Sequence, residues 1–393
     1  MKGFTLVELL VAMAITLTVT AATLSFVKPA HDAFQVQPET ADLYQRIRVG
    51  LDALHRDLLM AGAGTYAAGA VGPLHYALAP VMPYRAFGSA SDAVQGNYFK
   101  TDAISLVFVP STASQTTLSA PIPAGALDIS IENPATCPAA SGTQVCGFAT
   151  GDQVLVFDRA EWEVFAVDRA GADTAMTLKG APPARDFAAG ANVTEARAVT
   201  YALKADSASG AFQLVRAEGF DPAQPLLDHV VKLMFRYFGD PEPPRVVDET
   251  ETPLRATYGP EPPPLDQSLG GWPAGENCTF GVVDGHHQTR LAALSPSAGG
   301  VEIPPALLTD GPWCPDSTAH NRFDADLLRI RRVRVTLRVQ SAVASLRGPA
   351  GLLFTQGGFS GSASRQVPDL EIELDVSPRN LNLALGTRTL EHE

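Results

Sequence analysis

Charge is scarce in this chain. Of its 393 residues, 18% are Asp, Glu, Lys or Arg, against about a quarter in ordinary soluble domains. What charge there is leans acidic, with 42 carboxylates, 29 Lys and Arg, and a formal net charge of −13. That balance offers no general electrostatic footprint for nucleic acid or anionic lipid, and it argues against nucleic acid as a partner. Cysteine is scarce too. The four cysteines form two local pairs, Cys137 with Cys146 and Cys278 with Cys314, and neither has C-x-x-C spacing. The common zinc modules are therefore not suggested. No P-loop, dinucleotide fingerprint or H-E-x-x-H occurs, and Gly358-Phe359-Ser360-Gly361-Ser362 lacks the second glycine of a nucleophile elbow. The motifs give no support for an enzyme, a cofactor or a metal.

Two weaker clusters remain. Asp284, His286 and His287 lie between Cys278 and Cys314, with His320 beyond. Two Cys and two His can make a tetrahedral site, but this spacing matches no common module, and a solvated loop closed by a disulfide is the plainer reading. Asp324 and Asp326 lack the glycine and later glutamate of an EF-hand loop. Loop placement and an even count suggest two disulfides if the body lies outside the cytoplasm. Four cysteines allow three pairings, of which local pairing is the expectation.

What the chain has in quantity is apolar residues, at 46%, together with 33 Gly and 31 Pro. The first supports a real core; the second favours a loop-rich β architecture over a helical bundle. The apolar residues are most concentrated at the start, in MKGFTLVELLVAMAITLTVTAATLSFVKPA. From Phe4 to Val27 the only ionisable side chain is Glu8. At 1.5 Å per residue this stretch is about 36 Å long as a helix, enough to span a hydrocarbon core. It is too long for the apolar part of a secretory signal. A plain anchor does not explain the acid, because an unpaired carboxylate there costs roughly 2.5–3.5 kcal/mol on insertion scales.

Lys2-Gly3-Phe4-Thr5-Leu6-Val7-Glu8-Leu9-Leu10 resembles the class III signal of type IV pilins and type II secretion pseudopilins. The resemblance implies cleavage after Gly3 by a prepilin peptidase, N-methylation of Phe4, and Glu8 as the fifth residue of the mature chain. A buried amine at Phe4 and a carboxylate on a neighbouring subunit can neutralise each other and set the axial register between chains.

Beyond the apolar run, Lys28-Pro29 and Pro38 mark expected boundaries or kinks. Leu43, Ile47, Leu51, Leu54 and Leu58 then recur on one helical face, with Asp42, Arg46, Arg48, Asp52, Arg56 and Asp57 elsewhere on its surface. Gly62 and Gly64 supply a stop. The stripe is expected to pack against the protein's own sheet.

After Gly64 the pattern becomes short β-branched and aromatic runs. Candidate strands are 104–109, 154–157, 162–167, 175–178, 198–203 and 212–216, followed by the apolar run LLDHVVKLMFRYF at 226–238. From 241 to 325 the chain is rich in Pro and Gly, as in PEPPRV and SPSAGG, and reads as irregular surface structure. Alternation returns in RVRVTLRV at 332–339 and LEIELDV at 370–376. Paired antiparallel, these two would set Arg332, Arg334 and Arg338 against carboxylates on the exposed face.

The expected fold class is α+β: a long N-terminal helix packed on an antiparallel sheet with long loop insertions. Its expected parts are a leader at 1–3, a helix at 4–62 (transmembrane at 4–27), a β-rich head at 63–240, an insertion at 241–325, and further head strands at 326–393. The body, through LLMAGAG, AVTYALKADSASGAFQLVRAE, LLDHVVKLMFRYF, RIRRVRVTLRV and LEIELDVSPRNLN, is similar to PilW-like minor pilins and more weakly to the J-type pseudopilin. The resemblance implies a structural subunit, held in the inner membrane with a periplasmic head before assembly and extracellular in the pilus afterwards. Its implied partners are other minor and major pilins, the prepilin peptidase and the pilus assembly platform. The rival readings are a type II secretion pseudopilin and a tip-displayed adhesin or DNA-binding pilin.

Overall fold

A computed structural model describes residues 5–64, 78–86, 101–111, 114–138, 144–158, 162–170, 174–180, 182–183, 186–206, 211–241, 247–248, 255–256, 262–268, 271–277, 280–290, 294, 300–304, 307–310, 325–347 and 367–381. One helix, Leu6–Met60, runs for 55 residues, about 82 Å. It passes through Pro29 and Pro38 without a break, against the boundaries expected there. A proline removes one i→i−4 donor, and here long helical stretches on both sides outweigh that loss.

The second half of the helix lies on an eight-stranded antiparallel sheet. Its path runs Val81–Met82, Ala103–Phe108, Arg197–Asp206, Ala211–Glu218, Gln224–Gly239, Ile330–Val339 and Leu370–Val376, with Val301–Ile303 paired to the far end of Gln224–Gly239. Leu43, Ile47, Leu54 and Leu58 are buried on the sheet-facing side of the helix. Gly50 shares that side: a Cβ there would stand 3.0 Å from Leu227 Cδ2. Its missing side chain lets the helix approach the sheet closely. Past the helix, the Gly62 amide donates to the Val107 carbonyl at 3.0 Å and the Val109 amide to the Ala63 carbonyl at 2.8 Å. Gly64 has φ +71, and a Cβ there would lie 2.4 Å from the Val109 carbonyl oxygen, so only glycine fits.

The span expected as one β-rich head holds a second sheet of six strands. Their order is Gln115–Thr117, Asn192–Glu195, Gln153–Phe157, Trp162–Ala170, Ala175–Lys179 and Asp128–Ser130. The two end strands meet. Leu118 bridges Ile131, the Ser119 amide donates to the Ser130 carbonyl at 2.9 Å, and the Glu132 amide donates to the Thr117 carbonyl at 2.8 Å. The sheet thus closes into a small barrel, which removes its edges. Val154, Val156, Phe165, Val167, Leu178 and Phe187 belong to its interior cluster. The alternate residues Leu155, Phe157, Trp162 and Val164 join the core of the main sheet instead. The barrel is an insertion between neighbouring strands, because Phe108 and Arg197, where the chain leaves and re-enters the main sheet, are cross-strand partners.

Cys137 and Cys146 are joined in a disulfide beside the barrel, with Cα atoms 4.6 Å apart; Cys278 and Cys314 lie outside the described residues. The 241–325 stretch is not surface structure throughout, since Val301–Ile303 belongs to the main sheet and Ile303 and Leu308 to its core. A hairpin pairs Phe280–Val283 with His286–Thr289. Asp284 and Gly285, both at positive φ, form its two-residue turn. Ile330–Val339 and Leu370–Val376 pair antiparallel with Arg334 opposite Asp375 and Arg338 opposite Glu371.

Candidate functional site: the N-terminal helix and its seat

The helix divides by environment. Leu6–Ser25 has mean hydropathy 2.0 and no buried residue, and Leu6, Leu9, Val11, Ile15 and Leu17 are all more than half exposed. Five hydroxyls in this stretch would disturb an apolar surface, and each is satisfied inside the helix. Thr16, Thr20 and Thr23 donate to the carbonyls of Ala12, Thr16 and Val19 at 2.7–2.8 Å. Thr18 donates to the Ile15 carbonyl and Ser25 to the Ala22 carbonyl at 2.8 and 2.7 Å. Such back-bonding lets Thr and Ser sit in a segment whose surroundings offer no other partner.

Glu8 folds back on the start of the helix. Its Oε2 accepts from the Thr5 amide and the Thr5 hydroxyl, both at 2.9 Å, and Thr5 Oγ1 accepts from the Glu8 amide at 3.3 Å. This is a capping box. Among the described residues Glu8 makes no bond outside its own first turn, so in the single chain it neutralises its own helix end. Gly3 and Phe4 lie outside the described residues.

The seated half is held by two carboxylates that the apolar stripe gave no reason to single out. Asp57 is 8% exposed. Its Oδ2 accepts from the Tyr201 hydroxyl at 2.6 Å and from Arg216 Nε at 2.8 Å. Arg216 also bonds Glu218. Burial and then the Asp57 charge push the Tyr201 pKa far up. Burial opposes the charge on Arg216, but its hydrogen bonds to Asp57 and Glu218 prevail and raise its pKa. The second carboxylate, Glu39, is 9% exposed. Its Oε1 accepts from Ser341 Oγ at 2.9 Å, from the Ala342 amide at 2.5 Å and from Arg46 Nη2 at 3.5 Å. Glu39 and Asp57 are eighteen positions apart, five full turns at 3.6 residues per turn, so both face the sheet.

The arginines of the exposed sheet face are engaged within the chain. Arg334 reaches Asp375 at 2.8 Å, Arg338 reaches Asp369 at 3.0 Å, and Arg236 pairs with Glu302. Phe238 lies beneath Arg332 and Arg334, 4.3 and 5.3 Å from its ring centre. In the insertion, His287 Nε2 lies 3.2 Å from the Pro263 carbonyl. No group of three His, Cys, Asp or Glu is placed to hold a metal among the described residues; Cys278, Cys314, His320 and Asp324 lie outside them.

Residues 1–24 match the family described as "Prokaryotic N-terminal methylation motif". The match supports a class III signal of the kind carried by type IV pilins and pseudopilins, and it covers the signal and apolar segment, not the head. No curated protein matches the chain.

Proposed function

We propose that this chain is a minor pilin: a structural subunit cleaved after Gly3, methylated at Phe4, held in the inner membrane through its apolar helix, and then built into a type IV pilus beside other pilins. One observation carries the proposal. A 20-residue apolar helical stretch with no buried residue continues without interruption into a helix half seated on a folded head. That stretch needs a lipid phase or other apolar helices around it, and the methylation motif on the same residues agrees with its use in both settings. An assembly ATPase supplies the work of extraction in such systems; this chain supplies packing surface and register.

The N-terminal sequence and mass of the mature protein test the proposal. The expected product begins at Phe4 and carries one extra methyl. Gly3→Ala is expected to leave an unprocessed chain in the membrane fraction, and a normal mature mass in that variant overturns the processing step. Deleting the protein is expected to remove surface filaments; a secretion defect with filaments intact assigns it instead to a type II secretion system.

A further inference from the structure

The seat at Glu39 contains a histidine whose position is unusual three ways. His229 lies inside Gln224–Gly239, yet has φ +55. It stands between Leu227 and Val230, where the pairing register with Ala211–Glu218 shifts. Its carbonyl accepts from the Gln340 amide at 3.0 Å, while its Nδ1 is buried with no hydrogen-bond partner among the described residues. Charged groups on the surrounding elements bear on the ring electrostatically: Glu39 and Arg46 on the helix, Asp228 on its own strand, and Arg347 on the turn after Ile330–Val339. Arg46 is itself tied into the seat, at 2.6 Å to Asp42, 3.5 Å to Glu39 and 3.4 Å to the Asp228 carbonyl.

We propose that this seat is an acid-sensitive joint, in which neutral His229 completes the docking of the helix at Glu39 and a proton on His229 loosens it. A third positive charge cannot be added cheaply beside Arg46 and Arg347 in a partly desolvated site. Burial first, then Arg347 and Arg46, outweigh Asp228 and Glu39 and hold the imidazole below its ordinary pKa of 6.5. The sign follows. A docked base with a depressed pKa contributes stability above the undocked value, and that stability is lost as pH falls through the window between the two. Each pH unit separating the two pKa values shifts the docking equilibrium by about tenfold. The joint follows from the helix–head contact and does not depend on which filament or secretion system the chain serves.

The experiment uses the full chain in detergent micelles or nanodiscs. Proton NMR follows the His229 ring, identified by its loss in His229→Asn, a residue that tolerates positive φ. Hydrogen exchange of residues 36–47 and 340–347, corrected for intrinsic rates, is compared at about pH 7.5 and about pH 5.5. The expected result is titration of His229 below 6.5, with protection of both segments falling in acid in the wild type and flat in His229→Asn. Titration at or above 6.5 overturns the proposal, and the wild-type measurement stands without the variant. So does an equal loss of protection in both proteins.

Discussion

Asp57 and Glu8 show how one carboxylate can serve a chain in two different ways. Asp57 closes a buried three-membered contact with Tyr201 and Arg216. Asp57→Ala leaves a hydroxyl and a guanidinium short of an acceptor, an expected loss of about 2–4 kcal/mol. Asp57→Asn keeps one acceptor and is expected to cost less; chemical denaturation of the two variants in detergent checks the order. None of this was legible in the sequence, where Asp57 lies off the apolar stripe and its partners stand 144 and 159 positions away. Glu8 was legible as an anomaly, and the structure adds its bonds to Thr5. Removing it therefore has two effects, which Glu8→Gln separates, because an amide oxygen can still cap the helix. Glu8→Gln is expected to be processed normally and to incorporate poorly beside wild-type subunits. If it incorporates as wild type does, the carboxylate acts only as a cap and the inter-subunit register argument fails.

Among the elements, the helix was legible through its apolar run and through Leu43, Ile47, Leu51, Leu54 and Leu58, while Pro29 and Pro38 suggested boundaries or kinks at which the helix does not break. Local rules place a break at proline, whereas here the long helical stretches on both sides carry the helix through. Leu370–Val376 begins and ends where its alternation does, because one face meets the core and the other carries acids opposite arginines. At Gly50 the helix comes close to the sheet, with Leu227 Cδ2 3.0 Å from where a Cβ would stand. Gly50→Ala gains about 1 kcal/mol of helix propensity and displaces the end of Leu227, so a near-neutral outcome is expected. Gly50→Leu overpacks the contact, with an expected cost of about 1–3 kcal/mol or more; thermal unfolding of both variants distinguishes them. The Cys137–Cys146 link closes a short loop, and Cys137→Ser with Cys146→Ser is expected to lose about 2–3 kcal/mol on the chain-entropy account, read as a lower denaturant midpoint. Asp375 and Glu302 are held below the usual carboxylate range by hydrogen bonds to Arg334 and Arg236. Their exposed pairs are lost only as pH falls below the ordinary carboxylate values.

For the whole molecule, the sequence showed a β-rich body but not its division. The closure of the barrel depends on Leu118 meeting Ile131 and on strands three residues long, too short to carry a periodic signal. The Asp284-Gly285 turn, in contrast, stands in plain sight as an Asp-Gly pair between short β-prone runs. The insertion's share in the main sheet bears on how the head can be dissected. A deletion of 241–323 removes Val301–Ile303 and the core residues Ile303 and Leu308, so one that preserves the fold must spare residues 300–310. Replacing 111–195 with a short turn joins Phe108 to Arg197, already cross-strand partners. That variant is expected to be processed at its N-terminus as wild type is, since the signal lies elsewhere. It is also expected to aggregate more readily, since losing Leu155, Phe157, Trp162 and Val164 bares the core they cover. Mature mass and sedimentation check the two parts.

Two carboxylates five turns apart, with a glycine between them against the sheet, do more than stick a head to a rod. A single contact would act as a swivel, whereas contacts at Glu39 and Asp57 act like a key cut into a shaft. Any twist of the helix about its long axis carries the head round with it, so the orientation of the head reports the rotation of the rod.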